Sequence, residues 1–300
     1  MLATEIAGLK LKNPAILAAG LLGTSASLLK RVAASGAGAV TMKSIGPVAR
    51  DGNPNPTVLC WGEGLINAVG LPSPGYKNMD REWQELKGLE VPLIASFYGG
   101  STEEFIEVAT AIAAHKPAML DVNIGCPNTK SHGAIFGKDP KTAGDLVSKI
   151  KEAAGKIPVM PKIPPSDKFV DVAIACQDAG ADAIAAFNTW GPGMVIDINA
   201  RRPVIGFKTG GISGPAIRPL MVKGVYDLYE KLDVPIVASG GIMYGRDALE
   251  AMMAGATAVE IGSGIHYRGI DVFKKVTGEM ESWMKSNSVK SVKEVIGNAH

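Results

Sequence analysis

The segment Asp121-Val-Asn123-Ile-Gly125-Cys126-Pro127-Asn128 carries the strongest chemical signal in the chain, a strand-like run that ends in a thiol flanked by amides. A thiol, with an ordinary pKa of about 8.5, becomes a usable base at neutral pH once cationic or polar neighbours favour the thiolate. Free cysteine is more often an inert core residue. That reading suits Cys176, inside the helical pattern of residues 170–178, and Cys60. Cys126 differs because it follows a strand end and precedes a proline, where a side chain faces a barrel mouth. His115, His132, His266 and His300 show no metal-ligand spacing such as H-E-x-x-H. No metal and no Cys/His nucleophilic pair are therefore expected, and a thiolate at Cys126 would act as a base.

Lys43 closes the run Ala39-Val-Thr-Met-Lys43, and Lys162 closes Pro158-Val-Met-Pro-Lys162. A buried ammonium without an anionic or strongly polar partner costs several kcal/mol, so both are expected to face an electron-rich ligand. Snorkelling to solvent accounts for either lysine alone, but less well for two at equivalent strand ends. Ser239-Gly240-Gly241 and Gly262-Ser263-Gly264 follow two later runs, and turns without side chains let backbone N–H groups approach a phosphate. No G-x-G-x-x-G opens a Rossmann unit and no G-x-x-x-x-G-K-[ST] is present. A bound phosphate would then belong to a mononucleotide such as a flavin.

These residues need a scaffold that gathers strand ends. Short apolar runs at residues 14–19, 39–43, 92–96, 119–123, 158–162, 182–188, 235–239 and 258–262 alternate with helical patterns. Near-continuous apolar strands separated by helices suit a parallel sheet buried on both faces, and eight of them predict a closed (β/α)8 TIM barrel. A doubly wound open sheet would show the same alternation; the count favours the barrel. Three runs are entered through Val91-Pro92, Ile157-Pro158 and Val234-Pro235, where proline costs no ladder hydrogen bond. Three follow helix ends spelled Gly36-Ala-Gly38-Ala39, Ala179-Gly-Ala-Asp182 and Ala254-Gly-Ala-Thr257, with glycine as the left-handed stop. Residues 6–11, with Gly8, predict an N-terminal β-hairpin. Residues 47–80 form a long Gly/Pro/Asn-rich inserted loop after strand 2, and loops of that length are usually functional.

Composition narrows the function classes. The chain has 300 residues, 46% hydrophobic and 20% charged, which excludes disorder, coiled coil and collagen. No linker-like stretch divides it, so residues 1–300 are expected to form a single domain. A net charge of +2 without long runs of either sign gives no footprint for nucleic acid or an anionic membrane. Early charges such as Glu5, Lys10 and Lys12 argue against a signal peptide, and no apolar stretch reaches the roughly 18 residues a membrane span needs. A cytoplasmic protein is expected. Three scattered cysteines cannot hold a disulfide framework or a four-cysteine iron–sulfur cluster.

Asn123-Ile-Gly-Cys126-Pro-Asn128, Thr41-Met-Lys43-Ser44, Asn67-Ala-Val-Gly-Leu71, Asn188-Thr189, Thr209-Gly-Gly-Ile-Ser-Gly-Pro-Ala216 and the terminal Ile296-Gly-Asn-Ala-His300 together resemble the class 1 dihydroorotate dehydrogenases. The run Gly133-Ala-Ile-Phe-Gly137-Lys-Asp139-Pro140 is similar to the class 1B catalytic subunit rather than the fumarate-linked class 1A. The resemblance implies an FMN-containing barrel that oxidises dihydroorotate to orotate in pyrimidine biosynthesis. It implies that Cys126 takes the proton from C5 of the substrate while hydride passes from C6 to the flavin N5. Lys43 would sit near flavin and substrate, and Lys162 against the flavin's pyrimidine edge. Asn67, Asn123, Asn128, Asn188 and Thr189 match the substrate-binding residues, completed by Ala68, Val69, Gly70 and Leu71. FMN contacts map to Ala19, Gly20, Lys43, Ser44, Ser96, Asn123, Lys162, Phe187 and Gly214, with Gly240, Gly241, Gly262 and Ser263 around the phosphate. Residues 128–138 would form a lid.

The resemblance also implies a homodimer, and a heterotetramer with an electron-transfer subunit that carries FAD and a 2Fe-2S cluster and passes electrons to NAD+. Departures are local. Thr57 stands where the family has arginine, Ser96 or Phe97 where it has an FMN-contacting asparagine, and the loop 188–193 is longer and bulkier. Alternatives are a related flavin barrel acting on dihydrouracil or another pyrimidine, a dihydroorotate dehydrogenase using fumarate, and a non-catalytic phosphate-binding barrel.

Overall fold

The computed structural model describes residues 1–125 and 136–300. Eight parallel strands close into a barrel: Ala15–Leu17, Ala39–Thr41, Leu93–Phe97, Met119–Asn123, Val159–Ile163, Ile184–Ala186, Ile236–Ser239 and Ala256–Ile261. Each expected run supplies one strand. Neighbours pair in chain order until the last strand returns to the first, with Val259 opposite Ala15. The open-sheet alternative is thereby excluded.

Strand parity sorts the side chains into two cores. Leu120 and Val122 face outward and join the helices, as do Val159 and Ile163. Ile16, Ala39, Ile94, Met119, Met160, Ala185, Val237 and Ala258 point inward and form a dry plug. Thr4–Ile6 pairs antiparallel with Leu9–Leu11, and Ile6 and Leu11 of this hairpin join the plug. The hairpin therefore seals the end where the strands begin. Two residues further along, the inward positions become Ala18, Thr41, Ser96, Asp121, Lys162, Phe187, Ser239 and Glu260. One step along each strand thus turns the interior from apolar to mostly polar.

The punctuation predicted from sequence is in place. Gly36, Gly180 and Gly255 have φ of +100°, +92° and +117°, the left-handed backbone that ends a helix. Pro92 and Pro235 precede their strands and still accept ladder bonds, from Val40 N at 3.1 Å and Ile184 N at 3.0 Å. The helix Thr102–Ala113 shows why the outer ring packs: it buries Phe105, Val108, Ala109 and Ile112, the i, i+3, i+4, i+7 stripe.

The long insertion after the second strand holds more order than a loop. Its segments Val58–Cys60 and Leu65–Asn67 join Trp190–Gly193 and Gly210–Ser213 in a four-stranded antiparallel sheet, separate from the barrel. Strands of three and four residues are too short to announce a period of two, and the pairing that joins the two halves, Leu65–Asn67 with Gly210–Ser213, spans more than 100 residues. Gly210 and Gly211 permit the close pairing. A Cβ on Gly210 would lie 2.4 Å from the Asn67 carbonyl oxygen.

The insertion is fastened from below by Tyr98, which is fully buried and donates a hydrogen bond from its hydroxyl to the Leu71 carbonyl at 3.1 Å. Gly46 makes room for it, since a Cβ there would lie 2.3 Å from the Tyr98 hydroxyl oxygen.

Candidate active site

The strand ends and the small sheet enclose a cavity of about 490 Å³, within the range of small-molecule sites. The barrel brings eighteen sequence-predicted residues to it: Ala19, Gly20, Lys43, Ser44, Asn67, Val69, Gly70, Leu71, Ser96, Asn123, Lys162, Phe187, Asn188, Thr189, Gly240, Gly241, Gly262 and Ser263. Two others stand behind it. Ala68 is buried against Ile66 and Ile205 under the small sheet. Gly214 backs the phosphate-type turn, its carbonyl oxygen 2.9 Å from where a Cβ on Gly241 would fall. Cys126 and Asn128, and most of the expected lid, lie outside the described residues.

Lys162 forms the floor. Its ammonium is 3.2 Å from the Asp121 carboxylate and 2.9 Å from that of Glu260, and all three side chains are buried. The strong polar partner demanded by a lysine in an apolar strand is therefore the barrel's own, a pair of carboxylates in the same layer. Burial disfavours the ammonium, but the two carboxylates outweigh it and hold Lys162 above its ordinary pKa. Glu260 is also pushed up, first by burial and then by Asp121, against the opposing pull of Lys162 and a hydrogen bond from Ser239.

Sequence reasoning missed both carboxylates as site residues. The signal was present: Asp121 and Glu260 interrupt apolar runs as Lys162 does, and at the same inward parity.

Amides and hydroxyls line the wall. Ser44 and Ser96 share a hydrogen bond at 2.9 Å, and Asn123 donates from Nδ2 to the Ser44 hydroxyl at 3.3 Å. Ser96, not Phe97, thus occupies the position facing the cavity, while Phe97 packs outward against Phe105. Asn188 donates to the Gly125 carbonyl oxygen. Asn67 reaches from the small sheet and donates to the Gly211 carbonyl oxygen at 3.3 Å. Lys43 stands at the end of the second strand, its backbone N–H bonded to the Gly23 carbonyl at 2.9 Å.

The cavity suits a flat, hydrogen-bonding ring. The oxygens Asn123 Oδ1, Asn188 Oδ1 and Asp121 Oδ1 are buried without a hydrogen-bond partner, so acceptors await donors on a ligand or solvent. At the far end Gly240 and Gly241 have φ of +143° and +73°, and Gly262 and Ser263 lie beside them along the cavity. This cradle gives a phosphate access to backbone, as an FMN would require. The other cysteines lie elsewhere. Cys176 is buried, its thiol pushed up to about 12 by burial. Cys60 departs from the core reading: it is exposed on the small sheet, 3.6 Å from the Tyr267 hydroxyl.

Comparison with known proteins agrees with this geometry. The catalytic subunit of dihydroorotate dehydrogenase B (NAD(+)) from Methanocaldococcus jannaschii is 45% identical, with 100% of this chain and 98% of that protein aligned. The subunit of the same name from Pyrococcus abyssi is 38% identical, over 100% of this chain and 99% of that protein. The crystal structure of DHODH in complex with ferulenol from Eimeria tenella superposes with a TM-score of 0.86 at 24% identity, covering 100% of this chain and 88% of that one, a likeness of fold. A family model described as dihydroorotate dehydrogenase matches residues 1–284. With a polar layer above a sealed plug, a glycine turn beside the cavity and full-length relatives of one kind, the chain belongs to the dihydroorotate dehydrogenase family.

Proposed function

We propose that this chain is the catalytic subunit of an NAD+-linked dihydroorotate dehydrogenase, which oxidises (S)-dihydroorotate to orotate in pyrimidine biosynthesis. One observation carries the reading: the Lys162 floor, Lys43 and the side chains of Asn67, Asn123, Asn188 and Thr189 converge on one cavity that ends in a glycine cradle.

FMN, when bound, supplies the hydride acceptor. The chain does the rest. Lys162 would face the carbonyl edge of the ring and stabilise the charge that collects there. The backbone at Gly240, Gly241, Gly262 and Ser263 would hold the phosphate. Asn67, Asn123, Asn188 and Thr189 offer both donors and acceptors, which a planar ring edged with carbonyls and N–H groups needs. Val69, Gly70 and Leu71 would close around the substrate carboxylate beside Lys43. Cys126, three residues beyond Asn123, would remove the C5 proton.

The names of the relatives support a second subunit, which would carry FAD and a 2Fe-2S cluster and deliver the electrons to NAD+. A homodimer at the centre of a heterotetramer, in the cytoplasm, completes the proposal. No helix among the described residues is long and apolar enough to cross a membrane.

The test is the visible spectrum of the purified protein under anaerobic conditions. Flavin absorbance should bleach on adding dihydroorotate and persist with dihydrouracil, and Cys126→Ala should slow the bleaching by about a hundredfold or more. Bleaching by dihydrouracil alone would assign the chain to a different dihydropyrimidine.

A further inference from the structure

The layer beneath the cavity contains two carboxylates and one ammonium. If all three are ionised they carry a net charge of −1 in a buried layer. Asp121 meets Lys162 through one oxygen and keeps Oδ1 without a hydrogen-bond partner, while both oxygens of Glu260 lie 2.9 Å from the ammonium. All three side chains line the cavity, so whatever charge the bound ring carries is felt by the whole triad. Lys162 alone cannot neutralise two carboxylates and a negatively charged ring.

We propose that Glu260 is the proton-accepting member of the triad, taking up one proton from solvent when the bound flavin is reduced and releasing it on reoxidation. The proposal rests on the FMN reading of the cavity. Its balance is simple. The substrate's hydride brings two electrons and one hydrogen to the flavin, which leaves the reduced ring with one negative charge. A second proton adds to the Glu260 carboxylate, forming the O–H bond of a carboxylic acid. The charge of ring and triad together is then the same before and after reduction, and Lys162 can turn toward the ring.

Glu260 rather than Asp121 is chosen because burial and Asp121 both favour its protonated form. The groups that face it are Lys162 and Asp121 from the fifth and fourth barrel strands and the Ser239 hydroxyl from the seventh. Lys43 is the other charged side chain on the cavity among the described residues. Glu260 acts on the ring through charge, so it is a positioning and proton-holding residue.

The experiment is a redox titration of the FMN-loaded protein across pH, with redox dyes as reference. The reduction equilibrium of the native protein should fall about a hundredfold per pH unit, two protons for two electrons, and that of Glu260→Gln about tenfold. Glu260→Asp should restore the steeper dependence. The native protein alone gives an independent readout: difference infrared spectra should show a carboxylic-acid carbonyl band appearing on reduction.

A one-proton dependence in the native protein, or an unchanged two-proton dependence in Glu260→Gln, would overturn the proposal. Failure of the protein to retain FMN would instead overturn the cofactor reading, so the two failures are distinguishable.

Discussion

A Cβ on Gly211 would fall 1.9 Å from the hydroxyl oxygen of Thr189, so the small sheet and the sixth strand's end touch where only a glycine fits. Gly211 also sits opposite Asn67 in the sheet register and accepts its side-chain amide. Gly211→Ala must displace Thr189, Asn67 or both. The KM for dihydroorotate should rise about tenfold or more, the effect of misplacing one buried hydrogen-bonding group, while FMN remains bound. Steady-state kinetics with flavin content measured alongside would check it; an unchanged KM would show that these two side chains do not hold substrate.

Lys162→Met removes the cation between two buried carboxylates. Breaking a buried ion cluster in this way destabilises by about 3–5 kcal/mol, because the remaining charges lose their compensation. Urea unfolding at neutral pH should show this loss. It should shrink under acid conditions, where Glu260 protonates.

Glu260 also makes stability depend on pH with a definite sign. Its folded pKa is raised above the ordinary 4.5, so the folded state binds more protons than the unfolded state above that pH. Its contribution is present below 4.5 and is lost as pH rises toward the folded value. The stability of Glu260→Gln relative to the native protein should therefore increase as pH rises from 4.5. Chemical unfolding of both proteins at several pH values measures the difference, and a flat difference would mean that Glu260 titrates normally.

Two of the cysteines should react very differently. Cys60 is exposed, whereas Cys176 is buried with its thiol pushed up to about 12. Alkylation of the folded protein at mildly alkaline pH, followed by peptide mass analysis, should mark Cys60 and spare Cys176 until the protein is unfolded.

Tyr98→Phe deletes the hydroxyl that holds the Leu71 carbonyl at 3.1 Å. The expected cost is about 1 kcal/mol, the net value of one such bond, or a fall of roughly 2–4 °C in Tm. Because Leu71 lines the cavity, a weaker grip on substrate should accompany it.

Much of this architecture was legible in the sequence because each barrel strand is a local event. Met119 to Asn123 carries its own strand propensity, and the glycines and prolines at its neighbours' ends mark where chains turn. The glycine turn at the cavity was legible too, since Gly240-Gly241 needs left-handed backbone that few other residues adopt. The small sheet was not, because Leu65–Asn67 and Gly210–Ser213 reveal their partnership only after the barrel has brought them together. Asp121 and Glu260 escaped for a related reason. A carboxylate in an apolar run tells of burial, but that it meets Lys162 from across the barrel follows only from closure. Lys162 was expected to face an electron-rich ligand, and the chain itself supplies two carboxylates against it.

The four-stranded sheet has a consequence for how this enzyme can change. Its strands come from two stretches of chain, residues 58–67 and 190–213, that are stitched by backbone bonds and by the fit of Gly210 and Gly211 against Asn67 and Thr189. Grafting one stretch from a relative would set foreign side chains against native glycines and break the register. Both must travel together, so this wall of the cavity can change only as a pair of segments and not loop by loop.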